Sequence, residues 1–91
     1  MKIEKEAIDY LKFGESYWKE IDYKEVEVYR LINSIITDYD LEKGYVRKDL
    51  VVLDVSSNKY YFANVLVSYY HRNDPDWIEV FPYTETITKY K

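Results

Sequence analysis

The sequence predicts an α+β domain in which two N-terminal helices precede a three- to four-stranded antiparallel β-meander. Two observations predict this order. Apolar residues recur at helical spacing over residues 1–13 and again over 22–39, and β-branched and aromatic runs separated by turn residues fill the chain after Gly44. With 91 residues, 47% hydrophobic and 33% charged, there is room for one core and enough apolar surface to build it. Residues 1–91 are therefore expected to form a single compact domain.

In the first helix Ile3, Ala7 and Leu11 fall at i, i+4 and i+8 with Ile8 beside them, and Gly14 stands where a helix commonly stops. Residues 15–21 hold Tyr17, Trp18 and Ile21 without a clear period and read as an aromatic connection or a short helical turn. The second helix has the strongest local signal. Asp22 is placed to cap it, Glu25 three positions on can reach back to the cap, and Ile21 and Val26 have the spacing of a hydrophobic staple. Val28, Leu31, Ile32, Ile35 and Tyr39 form its stripe, Tyr29 and Ile36 widen it, and the polar run 38–44 ends it.

Residues 50–55 are β-branched and aliphatic and read as the first strand, 56–59 as a turn, and 60–71 as a long second strand. Asn73, Asp74, Pro75 and Asp76 carry turn chemistry, and 77–81 read as a third strand. Pro82 interrupts pairing or sits at an edge, and 84–90 alternate well enough for a marginal fourth strand.

Side chains alternate across a strand, so Tyr61, Ala63, Val65, Val67 and Tyr69 share one face and Tyr60, Phe62, Asn64, Leu66, Ser68 and Tyr70 the other. The neighbouring strands are expected to add Val51, Leu53, Val55, Ile78 and Val80 to the first face, and Leu50, Val52, Trp77, Phe81 and Tyr83 to the second. Both faces are then largely apolar, and an antiparallel sheet apolar on both sides needs a cover on each. Either the two helices divide that task, or the sheet curls around the long helix, or the face carrying Tyr60, Phe62, Leu66, Tyr70, Trp77 and Phe81 meets another chain. Those six residues are the expected partner-binding set.

Composition removes several functions. Without cysteine there is no disulfide, thiol nucleophile or thiolate metal site; two glycines cannot write a Gly-rich nucleotide loop; and one histidine, His71, cannot form a two-histidine zinc helix. Asp38, Asp40, Glu42 and Asp49 have the spacing of calcium-loop ligands, but Lys43 stands at the position that needs glycine. These four read as a solvated acidic turn, and His71 as a strand-end residue whose orienting carboxylate the sequence does not supply. No cofactor, metal or catalytic residue is expected, and the chain reads as a non-enzyme.

Residues 1–45 carry the whole formal charge of −4, with eleven acids against seven bases. That balance suits a basic protein partner better than phosphate. No segment is apolar for longer than four residues, so no membrane-spanning helix or secretory core is present and a cytoplasmic protein is expected. The expected function is a protein-interaction module, an adaptor or inhibitor, binding a protein partner or its own copy as a homodimer. Small size, motif poverty and twelve tyrosines suit a viral or mobile-element protein acting on a host factor, an anti-CRISPR type role included. The alternative is a nucleic-acid-binding regulator. It would stack bases on the tyrosine strand or act as a winged helix with 46–53 helical, using Arg47, Lys48, Lys59 and Arg72.

Overall fold

Ala7, Ile8 and Leu11 occupy one stripe of a helix with Ile3 just before it, and all four are buried in a computed structural model that describes residues 3–68 and 75–81. Helix α1 (Lys5–Lys12) is as expected. It ends in a Schellman arrangement: Glu15 N–H donates to the Tyr10 carbonyl at 2.9 Å, Gly14 N–H donates to that of Leu11 at 3.2 Å, and Gly14 takes φ +91°. Eight residues are too few for a helix to persist alone, since isolated helices shorter than about 12–15 residues are marginal in water. Docking holds it.

The rest is a five-stranded antiparallel sheet in sequential order: β1 (Tyr17–Ile21), β2 (Lys24–Asp40), β3 (Tyr45–Asp54), β4 (Lys59–Ser68) and β5 (Ile78–Val80). The meander after Gly44 is present, but the expectation of two helices and three to four strands is corrected to one helix and five strands among the described residues. No helix among them is long and apolar enough to cross a membrane. Tyr69, Tyr70, His71, Arg72, the first half of the 73–76 turn (Asn73 and Asp74), Pro82, Tyr83 and the strand expected over 84–90 lie outside the described residues.

The helix expected over 22–39 is instead a 17-residue strand. Asp22 and Tyr23 take φ +52° and +64° and join the Ile21↔Lys24 pair, so they are the two centre residues of a hairpin turn and not a cap. The helical stripe is imitated by two bulges. Pairing with β3 shifts between Leu31 and Asn33 and again between Ile36 and Asp38, each shift adding one residue to β2. The β2 side chains on the helix side therefore run Tyr29, Leu31, Ser34, Ile36, Tyr39, at spacings of two and three. The threes resemble a helical repeat, whereas Val26, Val28, Ile32, Ile35, Ile36 and Thr37 supply the β-branched content that prevails.

The face assignments are corrected too. Asp54 pairs with Lys59 across a four-residue turn in which Asn58 N–H donates to the Asp54 carbonyl at 2.8 Å and Asn58 takes φ +60°. An even-length loop puts even residues of β3 beside odd residues of β4, and a one-residue difference in register moves every side chain to the other face. Leu50 and Val52 thus join Ala63 and Tyr61, while Val51 and Leu53 join Phe62 and Tyr60. The core lies between α1 and the first of these faces: Ile3, Ala7, Ile8 and Leu11 meet Tyr29, Leu50, Val52, Tyr61, Ala63 and Val65.

Candidate functional site

The ladders place the second face row by row. Ile78, Phe62, Val51 and Asn33 form one row, Val80, Tyr60, Leu53 and Arg30 the next. Three strands thus contribute a block of six apolar residues. Leu53 is buried, Val51, Tyr60, Phe62 and Val80 are half-buried, and Ile78 is 56% exposed. No described element packs on this face, because α1 meets only the other, and the face is open in that sense alone. On β1, Tyr17 stacks with Tyr29 and Lys19 pairs with Glu4, which puts both on the helix side and leaves the half-exposed Trp18 on the open one.

Polar groups frame the block. At one side Arg30 donates to the Glu27 carboxylate through Nε at 3.0 Å and Nη2 at 2.7 Å. That hydrogen bond and the attraction of the carboxylate raise the guanidinium's pKa above its ordinary value. Beyond the block, Asn64 donates to Asp49 at 2.8 Å and to the Thr37 hydroxyl at 3.3 Å, and accepts from Arg47 at 3.3 Å. These side chains hold one another in place, so the open face has an apolar centre and an organised polar border. Interfaces are commonly built in that way.

The expected partner-binding residues divide. Tyr60, Phe62 and Leu66 lie on the open face in register with Leu53, Val51 and Arg47. Trp77 does not join them: it packs against the core cluster, with its indole N–H buried and without an acceptor among the described residues. Phe81 follows the end of β5 and is 78% exposed, and Tyr70 is not among the described residues. Sequence reasoning missed Trp18, Val51, Leu53, Ile78 and Val80 on this face. Strand alternation over 17–21 and a count of the turn 55–58 would have found Trp18, Val51 and Leu53, whereas Ile78 and Val80 follow only from the pairing of β5 with β4.

The three described members of the alternative's basic set, Arg47, Lys48 and Lys59, are not gathered. Residues 46–53 belong to β3 and not to a winged-helix recognition helix, so Arg47 and Lys48 point to opposite faces. Lys48 Nζ donates to the Lys12 carbonyl at 2.7 Å, tying the end of α1 to the sheet, and Lys59 stands at the far end of β4. The acidic run is likewise engaged locally. Asp38 accepts from Tyr39 N–H at 2.9 Å and from the Tyr45 hydroxyl at 3.2 Å, and Asp40 accepts from Lys43 N–H at 3.1 Å. The hydrogen bond to Asp38 holds the Tyr45 phenol above its usual pKa. A cavity of about 390 Å³ opens where α1 ends, between Phe13, Leu41, Tyr45, Val46 and Val67.

No family model matches the chain, and neither a curated protein nor a solved structure does.

Proposed function

We propose that the chain is a non-enzymatic interaction module that docks a protein partner on the open face of its sheet. One observation carries the reading: α1 covers one face, while Val51, Tyr60, Phe62, Ile78 and Val80 form an apolar block on the other with no described element over it. Contiguous apolar surface framed by polar groups marks interaction sites, and an aromatic anchor in such a patch contributes most of the binding energy. Tyr60 and Phe62 are the anchors; Arg30, Arg47 and Asp49 set orientation at the rim. The acid-rich N-terminal half favours a partner with a basic border.

The test is affinity capture of the tagged protein from nuclease-treated lysate of its source, with the mass of the complex recorded. A stoichiometric protein that survives nuclease and is lost in the Tyr60→Ala, Phe62→Ala double variant supports the proposal. A bare homodimer, also lost in that variant, makes the partner a second copy. Partners that vanish with nuclease, or a complex indifferent to the variant while the fold persists, overturn it.

A further inference from the structure

β1 is short, so it pairs with β2 only as far as Tyr29. From Arg30 to Asp40 no described strand lies on the outer side of β2. This stretch is a hazard on its own terms. The window Leu31, Ile32, Asn33, Ser34, Ile35, Ile36, Thr37 has no charge, proline or glycine and is rich in β-branched residues, and Ile32, Ile35 and Ile36 are 46%, 53% and 59% exposed. Exposed edges of that kind template pairing with another chain.

Amides alternate in direction along a strand, and each bulge advances the count by one, so the outward series runs Leu31, Ser34, Ile36, Tyr39. Three of these four N–H groups are taken by side chains. Leu31 donates to Ser16 Oγ at 3.1 Å, Ser34 to Asn33 Oδ1 at 3.0 Å, and Tyr39 to Asp38 Oδ1 at 2.9 Å. The last two repeat one device: the second residue of each bulge turns its side-chain oxygen onto the next amide. The Tyr45 hydroxyl fixes the Asp38 carboxylate by donating to its other oxygen.

We infer that the outer edge of β2 is sealed against strand addition by Ser16, Asn33 and Asp38, so that a second copy of this chain does not extend the sheet there. An arriving strand meets two bulges and three amides already engaged. The inference concerns the edge and stands independently of the open face.

The experiment compares the whole protein with the Asn33→Ala, Asp38→Ala double variant, by light scattering over a concentration series and by amide exchange at Ser34 and Tyr39. The variant is expected to keep its circular dichroism, to exchange those two amides several-fold faster at dilutions where both proteins have the same mass, and to form larger species as concentration rises. Asp38→Asn alone keeps both acceptors while removing the charge and is expected to behave as wild type. Unchanged mass and exchange in the alanine variant would overturn the inference. So would association of the acceptor-preserving variant to the same extent, because charge and not the hydrogen bond would then guard the edge. Running the series in the Tyr60→Ala, Phe62→Ala background separates any face-mediated dimer from edge pairing.

Discussion

Leu11→Ala tests the contact on which the helix depends. Leu11 is completely buried between α1 and the sheet, in one cluster with Leu50, Val52 and Val65. The substitution removes three side-chain carbons, a transfer loss of about 2.4 kcal/mol at ~0.8 kcal/mol each. Leucine truncations in packed cores cost about 2–5 kcal/mol once the residual cavity is included. A short helix on a flat sheet can settle by a fraction of the gap, which places the expected loss at about 3 kcal/mol. Folded domains hold ~0.05–0.15 kcal/mol per residue, or roughly 5–14 kcal/mol for this length, so the loss is a large share of the total. At about 4–8 °C per kcal/mol, the midpoint should fall by about 12–24 °C. Urea denaturation followed by circular dichroism and by tryptophan fluorescence measures it, with Phe13→Ala, at a side chain 68% exposed, as a control expected to stay within about 0.5 kcal/mol. A Leu11→Ala loss below about 1 kcal/mol with an unchanged denaturant slope would refute docking through this residue.

Three further outcomes are expected. Tyr23→Gly should stabilise the protein by about 1 kcal/mol in the same denaturation assay, because Tyr23 holds φ +64° in the β1–β2 turn, where glycine has no steric penalty. Lys48→Met should cost about 1 kcal/mol by removing the ammonium that donates to the Lys12 carbonyl, and amide exchange should rise in the last turn of α1. Burial raises the Tyr29 phenol above its ordinary pKa of 10.0. Tyr29 contributes stability that is complete below that unfolded value and is lost as pH rises through the higher folded one, so Tyr29→Phe should flatten the alkaline decline in the thermal midpoint. The variant also loses the bond that Glu4 N–H donates to the hydroxyl at 3.2 Å, which lowers stability at neutral pH.

The sequence by itself determined α1, its buried stripe and its glycine stop, because these depend on contacts within a few residues. It also determined the three strands of the meander among the described residues, through β-branched runs divided by turns. Strand alternation placed Tyr60, Phe62 and Leu66 together for the same reason. Tertiary structure decided the rest. β2 reads as a helix because its two bulges convert a period of two into spacings of three, and a bulge exists only relative to a partner strand. Asp22 and Glu25 have the spacing of a capping box, yet the pairing of β1 with β2 makes Asp22 and Tyr23 a hairpin turn. Val51 and Leu53 went to the open face because a four-residue turn, and not side-chain preference, fixes the register of β3 on β4, and Trp77 went to the core because pairing of Ile78 with Phe62 leaves the residue before it on the other side. Local propensity is summed over neighbours in the chain; register, bulges and the choice of covered face are settled only when distant strands compete for the same hydrogen bonds and the same buried space.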